Sequence, residues 1–256
     1  MPNWENRFCL NNKIAFITGA SSGIGYEIAK VFSDAGADIV AHGRDNSRLS
    51  ELGKQVVKKN KKFKSIIGNL DSDKEAEAIA LKALEAFGRV DILVNSAGIA
   101  ITGPLTTYSI ADWNRTISVN LTAPFIITKI LLPDMMKRRC GKIINISSQT
   151  GVIALKDHSS YAASKGALNA FTKAAMTEAA PFNVQVNAIC PTVVLTKMGK
   201  KLWLEPKKKD PFLSKTPLGR FGEPEEIADM ALYLASPASD LVNGALMMIE
   251  GGYSSV

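Results

Sequence analysis

The stretch Ile14-Ala15-Phe16-Ile17-Thr18-Gly19-Ala20-Ser21-Ser22-Gly23-Ile24-Gly25 governs the reading of the whole chain. Its first five residues are apolar and β-favouring, which predicts a buried strand. Three glycines follow in the spacing G-x-x-x-G-x-G, and residues 24–35 have helical amphipathic spacing. Gly19 permits a tight turn, Gly23 lets backbone approach a pyrophosphate, and Gly25 lets the helix pack close to the strand. The positive end of that helix then faces an anion. A glycine triplet alone would signal only a flexible loop. Between a first strand and a helix it points to a dinucleotide site.

Outward from this unit, short apolar runs recur at 38–41, 65–67, 90–94, 142–146, 184–189 and 246–249, with helix-length segments such as 74–87 and 161–179 between them. Strand–helix alternation of this kind predicts an α/β fold: a doubly wound, Rossmann-type parallel sheet of about seven strands, covered by helices on both faces. No linker or repeat divides residues 1–256, so one domain is expected. The Lys-, Pro- and Gly-rich segment 196–221 lies between the sixth strand and a helix opening at Pro224, where it reads as an irregular substrate loop or lid.

Composition excludes several classes. The 256 residues are 46% apolar and 21% charged, which suits a soluble core-forming domain. Three cysteines, Cys9, Cys140 and Cys190, have no paired or metal-ligand spacing, so neither a disulfide framework nor a metal site is expected. The N-terminus has no apolar h-region, and the apolar stretch 121–132 is interrupted by Lys129 and short for a membrane span. A cytoplasmic protein with no membrane partner is expected. The net charge of +7 gathers in lysine runs at 54–64 and 197–209 without a nucleic-acid module, so no nucleic-acid partner is expected.

The second strand ends Ala41-His42-Gly43-Arg44-Asp45. No carboxylate stands there to hold a ribose 2′-hydroxyl, and Arg44 can pair with a 2′-phosphate. NADP(H) is favoured and NAD(H) stays open; Asp45 is free to cap the next helix. Tyr161 and Lys165 are spaced i, i+4, so they share one helix face. An ammonium beside a phenol of pKa ~10 lowers that pKa, and reaching about 7 takes roughly 4 kcal/mol.

These motifs resemble the short-chain dehydrogenase/reductase family from about residue 10 to the C-terminus. The resemblance rests on Thr18-Gly19 through Gly25, on Asn95-Ser96-Ala97-Gly98 (with Ser96 where the family has a second Asn), and on Ser148 placed 13 residues before the Tyr161-x-x-x-Lys165 pair. It implies a catalytic set of Asn120, Ser148, Tyr161 and Lys165. Ser148 orients the substrate oxygen, Tyr161 exchanges the proton, Lys165 holds the nicotinamide ribose, and Asn120 supports a water-linked path to Lys165. A cofactor site follows over Gly19, Ser21, Ser22, Gly23, Ile24, Gly25, Arg44, Asn69, Leu70, Asn95, Ala97, Gly98, Tyr161, Lys165, Pro191, Thr192, Val194 and Thr196.

Pro191-Thr192, Gln149 and His158 are similar to the xylulose reductase-like sugar and polyol dehydrogenases. That likeness implies a small carbonyl or alcohol substrate contacted by Ser148, Gln149, His158 and Tyr161, with Trp203 packing the lid, in a homotetramer that pairs its long helices. Gln149 can equally satisfy loop backbone, and His158 can cap the helix. Two rivals remain open. One is a 3-oxoacyl carrier-protein reductase that docks an acidic carrier on Lys137-Arg138-Arg139. The other is a cofactor-binding regulatory protein without turnover.

Overall fold

The computed structural model describes residues 4–256; Met1–Asn3, part of the N-terminal stretch read above, lie outside the described residues. Seven strands form one sheet: β1 (Ile14–Ile17), β2 (Asp38–Gly43), β3 (Phe63–Ile67), β4 (Ile92–Asn95), β5 (Gly141–Ile146), β6 (Val184–Pro191) and β7 (Leu246–Ile249). Their order is β3-β2-β1-β4-β5-β6-β7, and every neighbouring pair is parallel. The doubly wound α/β class is the one observed. β1, β4 and β6 are buried along their whole lengths, the physical reason that they read as unbroken apolar runs.

Nine α-helices cover the described sheet: α1 (Gly23–Asp34), α2 (Asn46–Lys58), α3 (Asp73–Phe87), α4 (Ile110–Ile117), α5 (Ala123–Arg138), α6 (Ser159–Ala179), α7 (Lys197–Trp203), α8 (Pro206–Leu213) and α9 (Pro224–Ala235). Side chains alternate across the strands. Ile17, Ile39 and Ile144 pack with Phe32, Leu49 and Ile227 of α1, α2 and α9 on one face. Phe16, Leu93 and Ile143 pack with Ile79, Ile127 and Leu131 of α3 and α5 on the other.

Three expectations need adjustment. β2 runs on to Gly43 and β6 to Pro191, because their pairing with Ile67 and Ile249 continues that far. Segment 196–221 is not irregular throughout. Thr196 caps α7 by accepting from the Gly199 N–H at 3.1 Å, and Pro206 opens α8, so the segment folds into two short helices. Finally, the apolar run at 121–132 belongs to the continuous helical stretch Ile110–Arg138, which is long and apolar enough by length and composition to cross a membrane. Half of its apolar window is buried inside this fold, where Ile127 and Leu131 join the second core layer, so it serves as a core helix.

Candidate active site

The carboxyl ends of β1 and β4 are neighbours from which the chain departs in opposite directions, and a doubly wound sheet opens its crevice at such a switch point. A cavity of about 280 Å³ lies there. Gly19 (φ +71°) and Gly23 (φ +59°) take left-handed conformations that strain any other residue. A Cβ on Gly25 would lie 2.8 Å from the Gly19 carbonyl oxygen, which is why α1 packs so close to the turn. Thr18 Oγ1 accepts from the Ser96 and Ala97 N–H groups, both at 3.1 Å, so backbone holds the 95–98 turn whatever side chain stands at 96.

These residues fit a dinucleotide. The Ser22 side chain makes no cap bond, and α1 has no acid in its first turn, so its positive end opens onto the cavity uncompensated. A Cβ on Gly43 would lie 2.7 Å from the Ser21 side chain, so no carboxylate can stand at that position without displacing Ser21. Arg44 is exposed, lines the cavity and has no ion-pair partner among the described residues. Asp45 caps α2, accepting from the Arg48 N–H at 3.1 Å.

Beyond the cradle lies the expected catalytic set. Lys165 is buried and its Nζ donates to the Ile146 carbonyl at 2.7 Å, 5.7 Å from the Tyr161 ring centre. Asn120 sits in a π-helical turn, Ser118–Thr122, where one extra residue per turn rotates it inward. There it exchanges two 2.9 Å bonds with the backbone of Ile99 and donates to Ser164 Oγ at 3.1 Å, linking the strand exit to α6. A Cβ on Gly98 would lie 3.4 Å from Asn120 Oδ1 and 3.7 Å from Lys165 Nζ, so both groups flank one gap.

The expected electrostatics are corrected here. Tyr161 is half-buried at the cavity wall, and burial raises its pKa above the usual 10.0, offset partly by the Ser148 hydrogen bond. Burial also lowers Lys165 to about 8, weakening the cation meant to favour the phenolate. Desolvation opposes charge on both groups and is the largest cause of each shift.

All the other site residues expected from sequence, from Gly19 through Thr196 and including Ser148, Gln149 and His158, line this one cavity; Asn95 and Asn120 lie behind it. Asn95 is buried and donates to Asn145 Oδ1 at 2.8 Å, while Asn145 donates to Thr172 Oγ1 of α6 at 2.9 Å. Asn95 therefore belongs to a polar tie across β4, β5 and α6 rather than to the cavity wall. Gln149 is buried, and its Oε1 has no partner among the described residues, so its side chain is not satisfying loop backbone. His158 occupies the N-cap position of α6 without capping it. Its Nδ1 lies 2.6 Å from the Lys156 carbonyl, which can only accept, so Nδ1 carries the proton and a neutral ring offers Nε2 as an acceptor.

Trp203 stacks on His158 (centroids 5.9 Å apart, 30°) and packs on Phe212 at 4.8 Å. It thus lines the cavity as well as packing α7 on α8. His42, Arg115 and Leu155 also line the cavity and were missed, since nothing in their local sequence marks them. Lys137-Arg138-Arg139 lies at the opposite end, next to the start of β5. Arg138 there bonds Asp91, Asp134 and the Val90 carbonyl, so this run flanks no part of the site.

The family model described as enoyl-(acyl carrier protein) reductase matches residues 19–254. The chain belongs to the short-chain dehydrogenase/reductase family. An NAD-dependent glycerol dehydrogenase of Listeria innocua is 36% identical over 98% of this chain and 97% of its own. A 3-oxoacyl-(acyl-carrier-protein) reductase of Thermotoga maritima is 37% identical over 95% and 98%. Among solved structures, a gluconate 5-dehydrogenase of Burkholderia cenocepacia in complex with NADP and tartrate superposes with a TM-score of 0.94 at 31% identity, covering 99% of this chain and all of that one. As a short-chain dehydrogenase/reductase, the chain is an oxidoreductase that acts on a CH–OH group with a nicotinamide cofactor.

Proposed function

We propose that this enzyme uses NADP(H) to interconvert a ketone and a secondary alcohol on a small polyhydroxylated molecule. The observation that carries the substrate reading is Gln149: a buried amide whose Oε1 has no partner among the described residues, beside Ser148 and Tyr161. With His158 Nε2 as an acceptor, the cavity offers hydrogen bonds that an apolar substrate would leave unmade, at ~1–3 kcal/mol for each orphaned group. Such sites discriminate strongly in favour of hydroxylated ligands.

Gly19 to Gly25, Asn69, Leu70, Ala97, Gly98 and 191–196 would hold the cofactor, with Arg44 at a 2′-phosphate. The nicotinamide supplies or accepts the hydride. Ser148 holds the carbonyl oxygen, Tyr161 donates its proton to that oxygen in reduction and recovers it in oxidation, and Lys165 bonds the nicotinamide ribose. Asn120, with the gap it shares with Lys165, keeps a proton route to solvent. Segment 196–221 acts as the lid. A homotetramer packing its long helices suits the exposed Phe125 edge-on to Phe171 of α6. Three free cysteines suit the cytoplasm.

The test is a panel of ketoses, polyols, keto sugar acids and acetoacetyl thioesters, each with NADPH and NADH. Turnover of sugars or polyols with higher kcat/KM for NADPH is expected, and Arg44→Asp should reverse the cofactor ratio. Activity confined to thioesters replaces the substrate reading with the carrier-protein one. A wild-type preference for NADH, as in the Listeria relative's NAD dependence, removes Arg44 from its role.

A further inference from the structure

Building on the polyhydroxylated-substrate reading, we propose that the preferred substrates are anionic, carrying a carboxylate or similar group that the lid lysines draw to the cavity mouth. Segment 196–221 holds eight basic and two acidic residues, which is +6 of the chain's +7. The rest of the molecule is almost neutral. Arg220 is engaged by Glu226, at 2.6 and 2.8 Å. The seven lysines of the lid make no ion pair among the described residues.

Their placement is mixed with respect to the helix dipoles: Lys200 and Lys201 stand in the last turn of α7, where a cation is favoured, whereas Lys197, Lys207 and Lys208 stand at N-terminal ends, where it is not. α3, α4 and α9 carry acids in their first turns (Asp73 and Glu75, Asp112, Glu225 and Glu226), as the helix dipole favours. α7 begins at Lys197 with no acid in its first turn, and α8, with Glu205 at its N-cap, puts Lys207 and Lys208 in its first turn.

The cavity beneath is matched in sign. No Asp or Glu lines it, whereas Arg44, Arg115, Lys165 and Lys197 do. A cofactor's phosphates account for cations at the α1 end, where Thr196 packs 3.0 Å from the missing Cβ of Gly23. They do not account for Lys200 and Lys201, in the helix that stacks Trp203 on His158, nor for Lys207 to Lys209 in the next helix, whose Phe212 packs on Trp203. A low-dielectric cleft rimmed by one sign of charge focuses its field and raises encounter rates for an opposite charge by roughly 10–10³.

The experiment compares a keto sugar acid with the neutral ketose of equal length, at saturating NADPH, from about 20 to 500 mM ionic strength, a range over which exposed charges become screened. The acid is expected to have the higher kcat/KM at low salt and the steeper decline. The variant K200Q/K201Q/K207Q/K208Q/K209Q, whose side chains lie off the cavity wall, should lose about tenfold or more of kcat/KM for the acid. It should stay within twofold for the ketose and for NADPH affinity measured by fluorescence. Equal salt slopes for acid and ketose overturn the proposal, as does a variant whose loss falls on NADPH affinity, which assigns the lysines to the cofactor. Preference for thioesters on an acidic carrier protein over both sugars overturns it in favour of protein docking. Turnover of neither sugar brings down the underlying substrate reading and this one with it.

Discussion

Below Tyr161 the chain uses its polar groups in one way, and above it in another. In the floor, Asn95, Asn145 and Thr172 bond one another across β4, β5 and α6, and Ser147 Oγ donates to the Lys165 carbonyl. In the cover, α7 and α8 present exposed, unpaired lysines held by a small aromatic cluster, with Phe212 stacked on Tyr253 at 4.6 Å and packed on Phe221. An orphaned buried polar group costs the desolvation of that group, so the floor pairs most of its own, Asn95 Oδ1 and His42 Nδ1 being exceptions among the described residues. Exposed charges have no such need and can serve a ligand. The floor is therefore built to hold geometry, and the cover to select what enters.

The sharpest test of that division is Tyr161→Phe. It removes a proton donor from the floor without touching the cradle, so kcat should fall at least ~10²-fold while NADPH affinity stays within about threefold. A variant that keeps half of its kcat would sever the floor from the chemistry.

Next in size is Asn145→Ala, which removes two buried bonds and leaves Asn95 Nδ2 only its 3.5 Å contact with Thr128 Oγ1 and Thr172 Oγ1 only its donation to the Leu168 carbonyl. At ~0.5–1.5 kcal/mol for each lost bond, about 1–3 kcal/mol of stability should go. The melting temperature should drop by roughly 2–12 °C, at ~2–4 °C per kcal/mol. A shift under 2 °C would show that the tie is ornamental.

His42 probes the floor by pH. Its ring is buried, with Nε2 at 3.2 Å from the Gly68 carbonyl and Nδ1 without a partner among the described residues, and burial lowers its pKa to about 4. The unfolded chain takes up the proton below about 6.5 and the folded chain only near 4, so stability is lost as pH falls between these values. The gap corresponds to about 3 kcal/mol at most. His42→Asn should be free of that loss, which urea midpoints at pH 7 and pH 4.5 would reveal. Parallel curves for the two proteins would mean that His42 charges freely in the fold.

The smallest effect belongs to the cover. Trp203→Ala removes the ring stacked on His158, so KM for substrate should rise roughly threefold to tenfold, the worth of one aromatic pair. kcat should hardly change, because no reacting atom is touched. A large fall in kcat instead would make the cover part of the catalytic frame.

Local chemistry made much of this legible. The glycine turn, the seven apolar runs and the Tyr161/Lys165 spacing are short-range patterns: a left-handed glycine or a helix face needs only its neighbours in the chain. Segment 196–221 was harder to read, because α7 and α8 are short and lysine-rich and owe their order to contacts with Phe221 and Tyr253 far along the chain. The bond that Asn95 makes was hidden for a related reason. Its motif marks a turn, but only the register of β4 on β5 brings Asn145 opposite and draws the amide away from the cavity. The direction of the Tyr161 shift could not be read either, since spacing reports who is adjacent and desolvation depends on everything packed around the pair. By itself the sequence determined the parallel sheet, the dinucleotide cradle and which residues meet at the site. Tertiary structure decided which polar groups are sealed into the frame, which are left open to a ligand, and that a cationic cover stands over them, because burial is set by the whole packed chain.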